Sequence, residues 1–289
     1  MTDLHELVAA RVDRPYAIAS AAKRRRRPPS WRGEHGRLMI IAADHPARGA
    51  LRAGADAMAM ANRADLLRRL CAALERPGVN GVLGTPDILE DLLLLGALDD
   101  KVVIGSMNRG GLAGTTFEID DRFTAYDAGS IAGCGFDGGK MLLRIDPADA
   151  GTVSTLEGCA RAVGELAGRK LMAMVEPFIS HRVDGRIRND LSPEAMIRAM
   201  TVAAGLGTTS AYTWLKVPVV DDMERVMAAT TLPALILGGE VTTDTSAAYA
   251  RWAKALALPT VQGLVIGRSL LYPPGDDVAA AVDRAVSLL

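Results

Sequence analysis

Thr213-Trp214-Leu215-Lys216-Val217, closed by Pro218, is an apolar stretch broken by one hydroxyl and one amine. A run this short, rich in β-branched and bulky residues and ended by proline, reads as a buried strand. The chain repeats the unit. From Arg37 onward apolar runs fall at Leu38–Ala43, Val79–Leu83, Val102–Gly105, Gly139–Arg144, Leu171–Glu176, Thr213–Val217, Ala234–Leu237 and Gly263–Ile266. Continuous apolar runs, in place of alternation, mark parallel strands covered on both faces by crossover helices. Eight such strands are the number that closes a barrel. A doubly wound open sheet would show a glycine-rich dinucleotide turn after its first strand. Here that strand ends in Ala43-Asp44-His45-Pro46, with no GxGxxG. The reading is therefore α/β: a (β/α)8 barrel over residues 37–289, preceded by a short helical extension over residues 1–36.

Helical segments are expected between the runs. Arg63–Leu74 has apolar residues at three- and four-residue spacing, and Pro86–Leu95 follows Thr85, an N-cap with proline at the first helical position. Pro193–Ala204 follows Ser192 in the same way, with Glu194 in the first turn where the helix dipole favours it. Asp221–Ala229, Thr245–Leu256 and Asp276–Leu289 continue the pattern. In the extension, Leu4–Arg14 reads as a short helix, and the basic run Lys23 to Arg27 as a solvated arm or the edge of an oligomer contact.

Bulk composition narrows the function classes. A net charge of −1 gives no general pull toward nucleic acid or anionic membrane, and 4% aromatics disfavour base-stacking platforms. Cys71, Cys134 and Cys159 are widely spaced and odd in number, which suits neither a disulfide framework nor a zinc knuckle. The start of the chain mixes charges into each apolar run, unlike a signal peptide, and no run is long enough to span a bilayer. A cytoplasmic enzyme that acts on a small molecule as a homo-oligomer, with no nucleic-acid or membrane partner, is the expectation.

In a barrel of this kind, reactive groups sit at the C-terminal ends of the strands. Lys216 on the sixth run and Lys140 on the fourth are amines in apolar surroundings, which is costly unless they are paired or neutral. Burial and a second nearby cation both lower an amine's pKa. A neutral lysine attacks a carbonyl to give a protonated imine, an electron sink for carbon–carbon cleavage. The structural alternative is that each lysine is an ion-pair partner of Asp44 or Glu176. Those carboxylates, at the ends of the first and fifth runs, are the acid–base candidates. His45 is either a proton donor or a loop residue. Gly238-Gly239 and Gly267-Arg268 follow the last two runs, where many barrels hold phosphate, and Arg144 is a further candidate for anion binding. Glu240 beside the first turn opposes a dianion there unless it points away.

At these residues the sequence resembles the class I (Schiff-base) aldolases of the DeoC/LacD/FbaB type, which are aldolase-type TIM barrels. The likeness lies in Ala42-Ala43-Asp44-His45, Gly135-Phe136-Asp137-Gly138-Gly139-Lys140-Met141-Leu142-Leu143, Asp146-Pro147, Val175-Glu176-Pro177, Leu215-Lys216-Val217-Pro218, Leu237-Gly238-Gly239 and Gly267-Arg268. It spans most of residues 37 to 272. The resemblance implies a lyase of carbohydrate metabolism with no cofactor, whose substrate is a ketose or sugar phosphate. It also implies Lys216 as the Schiff-base lysine, Lys140 as its electrostatic partner and Asp44 as the acid–base group. Pro46 stands where the family usually has glycine, so the loop after the first strand departs from the pattern.

Two other readings use the same barrel. A metal-dependent aldolase or isomerase would need clustered histidines and carboxylates, and the four histidines are His5, His35, His45 and His181, two of them in the extension. A non-catalytic barrel that binds a sugar phosphate is the other, since fold and function separate readily.

Overall fold

The computed structural model describes residues 4–31, 36–242 and 244–289. His35, counted above among potential metal ligands, lies outside the described residues. The strands are β1 (Leu38–Ala42), β2 (Gly81–Gly84), β3 (Val102–Ser106), β4 (Gly138–Ile145), β5 (Met172–Val183), β6 (Arg186–Asp190), β7 (Thr213–Val217), β8 (Ala234–Leu237) and β9 (Val261–Ile266). Eight of them are parallel neighbours in the order β4-β3-β2-β1-β9-β8-β7-β5, and pairing of β4 with β5 closes the ring. This is the (β/α)8 TIM barrel expected from the eight runs.

The helices are α1 (Leu4–Asp13), α2 (Tyr16–Arg24), α3 (Arg63–Leu74), α4 (Pro86–Leu94), α5 (Ala128–Gly133), α6 (Gly151–Gly168), α7 (Pro193–Ala204), α8 (Met223–Met227), α9 (Thr245–Leu256), α10 (Arg268–Leu271) and α11 (Val278–Val286). Ser192 caps α7 as expected, accepting from the Ala195 N–H. Thr85 occupies the cap position of α4, but its hydroxyl bonds the Asp87 carboxylate at 2.6 Å, leaving the helix backbone uncapped by it. The segment expected as a helix over Asp221–Ala229 is helical only over Met223–Met227.

Three features go beyond the sequence reading. First, α6 is the longest helix, although its sequence carries four glycines that lower helix propensity. Tertiary packing overrides that penalty: Cys159, Val163 and Leu166 bury one face, and a side chain at Gly158 would meet the Phe123 ring at 2.8 Å. Second, β5 runs well past Glu176 and pairs antiparallel with β6, so a hairpin continues beyond the barrel rim. Third, the basic run is not a free arm. Arg25 is buried and donates to the Lys101 and Gly135 carbonyls at 2.7 and 2.6 Å, and Arg27 pairs with buried Asp137 at 2.9 Å. Lys101 and Asp137 immediately precede β3 and β4, so the run docks on the N-terminal end of the barrel.

The period-two alternation of the strands positions the site. Leu38, Ile40 and Ala42, with Leu83, Val102, Ile104, Met172, Met174, Leu235 and Val265, form one buried cluster inside the ring, with Trp31 packed against it. A larger cluster fills the layer between sheet and helices. Four interior columns, continued by two residues toward the C-terminal end, change from apolar to polar: Ala42 to Asp44, Ile104 to Ser106, Met174 to Glu176 and Trp214 to Lys216. Lys140 joins the same layer, in register with Ser106 on β3 and Met174 on β5.

Candidate active site

The polar layer is an alternating chain of charges across the barrel mouth. Arg109, from the loop after β3, donates to Asp44 Oδ2 at 2.7 Å and to the Asp44 carbonyl at 2.6 Å. Lys140 Nζ reaches the same Oδ2 at 3.1 Å and also bonds Glu176 Oε2. Glu176 Oε1 lies 3.1 Å from Lys216 Nζ. The order is Arg109, Asp44, Lys140, Glu176, Lys216: plus, minus, plus, minus, plus. Of the sequence-predicted residues, Lys216, Lys140, Asp44 and Glu176 therefore come together. The side chains of Asp44, Lys140 and Lys216 are 3%, 3% and 4% exposed, so these charges have given up nearly all their hydration. Isolated buried charges at that depth would cost many kcal/mol, and only mutual pairing makes the layer tolerable.

Burial opposes ionisation of Asp44, Glu176, Lys140 and Arg109, and the neighbours decide the outcome. For Asp44, burial would raise the pKa, but Lys140, Arg109 and Lys216 hold it well below the usual carboxylate range. Glu176 is likewise pulled against its burial by Lys140 and Lys216, down to about 2. Burial lowers the Lys140 pKa even though Asp44 and Glu176 pull it up. The ion pairs anticipated by the structural alternative are thus present. They coexist with an oxygen that none of them uses: among the described residues, Asp44 Oδ1 has no partner closer than His45 Nδ1 at 3.8 Å.

His45 caps a 3-10 turn at Pro46–Arg48, so proline fixes the chain direction where the sequence departs from Asp-His-Gly. The His45 side chain is about one-quarter exposed, its Nδ1 is buried without a hydrogen-bond partner, and burial pushes its pKa down to about 3. Next to it, a side chain at Gly267 would overlap the Ala42 carbonyl and come within 3.3 Å of His45 Cε1. Across the turn, a side chain at Gly238 would sit 2.6 Å from Ile266 Cγ2 and 2.8 Å from Ser269 Oγ. Gly239 has φ of 70°, the left-handed region glycine enters without strain. Ser269 Oγ and Arg268 Nε are both buried and unpartnered, while an Arg268 terminal nitrogen donates to the Arg52 carbonyl at 3.2 Å. Glu240 is exposed. The helix after β9 is a single turn, so the polar atoms of this corner matter more than any helix dipole.

Arg144 is placed elsewhere. It is buried against Glu118, bonding that carboxylate and donating to the Glu118 carbonyl at 2.9 Å. Arg48 similarly pairs with Asp121 and donates to the Gly111 and Asn108 carbonyls at 2.8 and 2.7 Å. Both arginines brace the loop between β3 and α5 against the rim, and both terminal nitrogens of Arg144 are committed to Glu118 while its Nε is without a partner. Arg109 and Ser106 are the residues to which sequence reasoning assigned no role. The sequence signal for Ser106 is its position two residues past Ile104 on the interior column, whereas Arg109 lies on a loop whose course the strand pattern leaves open. Among the described residues, no group of three or more His, Cys, Asp or Glu side chains is placed to hold a metal ion.

The crystal structure of Cgl0159 from Corynebacterium glutamicum (Brevibacterium flavum) is similar to this chain at 54% identity, with a TM-score of 0.96, over 99% of this chain and 96% of that one. A Schiff-base-forming fructose-1,6-bisphosphate aldolase matches at 20% identity and a TM-score of 0.66, over 94% of this chain and 99% of its own. An archaeal fructose 1,6-bisphosphate aldolase matches at 18% identity and 0.65, over 94% and 98%. At these identities the likeness to the aldolases is one of fold. None of the curated proteins matches the sequence. The family model described as Cgl0159-like matches residues 36–286, nearly the whole barrel together with every charged residue of the mouth, and the chain belongs to that Cgl0159-like family.

Proposed function

We propose that the chain is a class I aldolase that cleaves or forms a carbon–carbon bond of a ketose or sugar phosphate through an imine on Lys216. The observation that carries this reading is the alternating charge layer. It holds two amines and two carboxylates at the C-terminal end of a barrel, with Lys216 at the end of the chain of charges and bonded to one carboxylate oxygen. Lys140 contacts both carboxylates and shares Glu176 with Lys216. Imine formation joins Lys216 Nζ to the substrate carbonyl carbon and releases water. In the cleavage direction the hydroxyl proton of the substrate passes to Asp44, the O–H pair becomes the carbonyl of the departing aldehyde, the pair of the broken carbon–carbon bond becomes the enamine double bond, and the former C=N pair moves to nitrogen. Protonation and hydrolysis of the enamine return the lysine. Glu176 keeps the two amines apart.

The phosphate reading rests on the corner formed by Gly238, Gly239, Gly267, Arg268 and His45. Two buried polar atoms without partners, Arg268 Nε and Ser269 Oγ, lie beside glycines whose hydrogens keep the backbone open. Buried polar atoms ordinarily find partners, and a phosphate oxygen supplies them. Arg144 serves this function by holding the rim loop. A cytoplasmic setting fits the three free cysteines, and no helix among the described residues is long and apolar enough to cross a membrane. Borohydride reduction in the presence of carbonyl compounds, followed by mass spectrometry, tests the imine.

A further inference from the structure

Asp44 and Glu176 are two carboxylates of one cluster, but their oxygens are used differently. Both Glu176 oxygens are committed, Oε1 to Lys216 and Oε2 to Lys140. On Asp44 a single oxygen, Oδ2, takes all three donors: Ser106 Oγ at 3.2 Å, Arg109 at 2.7 Å and Lys140 Nζ at 3.1 Å. Arg109 also grips the Asp44 carbonyl at 2.6 Å, so one buried guanidinium fixes both the main chain and the side chain of this residue. Oδ1 is left facing His45 Nδ1 across 3.8 Å. That gap is too long for a direct hydrogen bond and suits one intervening oxygen bonded to both.

Resting on the aldolase reading, we infer that Arg109 is a positioning residue: with Ser106 it anchors Asp44 through Oδ2, so that Oδ1 alone exchanges protons with the substrate, and Oδ1 with His45 Nδ1 grips the reacting substrate oxygen. In the partial reaction with a bound ketone, the proton leaves the carbon next to the iminium for Oδ1. The carbon–hydrogen pair becomes the enamine double bond, and the former C=N pair moves to nitrogen. The charged and titratable groups facing Asp44 are His45 on its own strand end, Arg109 after β3, Lys140 on β4, Glu176 on β5, Lys216 on β7 and Arg268 after β9. Of these, Lys140 and Arg109 lower the Asp44 pKa most. Removing Arg109 therefore also raises the pH at which Asp44 takes up a proton.

The test uses full-length protein and dihydroxyacetone phosphate as probe. Borohydride trapping on Lys216 reads imine formation, and deuterium incorporation next to the carbonyl, followed by NMR, reads the Oδ1 proton transfer. Arg109→Gln is expected to keep the trapped adduct within about threefold of the parent while exchange falls about 100-fold, the scale of a general-base contribution. Arg109→Lys should recover part of that loss, and the acid limb of the exchange rate should move to higher pH in Arg109→Gln. Ser106→Ala removes a second donor to the same oxygen and should slow exchange about three- to tenfold by the same route. If Arg109→Gln does not fold, Ser106→Ala decides. A folded variant that traps and exchanges like the parent, with an unmoved acid limb, overturns the role of Arg109 and leaves the imine standing. A parent that forms no adduct overturns the imine reading as well.

Discussion

Glu176 and Lys216 face each other on the neighbouring strands β5 and β7, with Oε1 3.1 Å from Nζ, and the other oxygen of the same carboxylate bonds Lys140. One buried carboxylate therefore separates two ammonium groups. In Glu176→Gln the amide keeps the shape and loses the charge. Breaking a buried pair by removing one partner typically costs about 3–5 kcal/mol. The variant should unfold several degrees below the parent by calorimetry, and activity should fall with it. An unchanged melting temperature would show that the lysines do not depend on this carboxylate.

Acid should weaken the fold through the same groups. Glu176 and Asp44 both titrate lower in the folded chain than their ordinary values of 4.5 and 3.8. Their contribution to stability is therefore fully present above those values and is lost as the pH falls, for Glu176 down to about 2. Urea midpoints measured from pH 7 to pH 2 should drop most steeply below pH 4.5, and Glu176→Gln should flatten that slope. A parent whose midpoints hold constant through this window would contradict the charge assignment.

Arg144 separates a brace from a substrate contact. As a brace, Arg144→Met strands buried Glu118 and should cost about 3–5 kcal/mol, whereas Arg144→Met combined with Glu118→Leu should recover most of that loss. A substrate-binding Arg144 would give the opposite pattern: normal stability in the single variant, with a raised KM. Denaturant unfolding of the three variants distinguishes the two.

For the corner at Gly267, the expected signature is selectivity for phosphate. Arg268→Ala removes a half-buried cation and should raise KM for dihydroxyacetone phosphate by about 10- to 100-fold, the range of a charge-assisted hydrogen bond. Trapping of unphosphorylated dihydroxyacetone should change little. Equal losses for both ketones would move the phosphate site elsewhere.

The barrel was legible because its eight parallel strands are largely buried on both faces, so eight apolar runs stand out without any knowledge of partners. Lys140 and Lys216 were legible for the same reason: a charge inside such a run has to have a purpose. Arg109 was not, because its role depends on a loop folding back over the rim to reach a residue 65 positions away. The β5–β6 hairpin was hidden by its polar, exposed composition, and α6 by glycines that its packing tolerates. The docked basic run was read as solvated because its partners, the Lys101 and Gly135 carbonyls and Asp137, are brought to it only by the closed barrel.

Peptide mapping after borohydride reduction with dihydroxyacetone phosphate reads the imine on Lys216 itself. A reduced adduct is expected on the peptide containing Lys216 in the parent and none in Lys216→Ala. A parent without an adduct across a broad set of ketones and aldehydes, or an adduct that persists in Lys216→Ala, would contradict it.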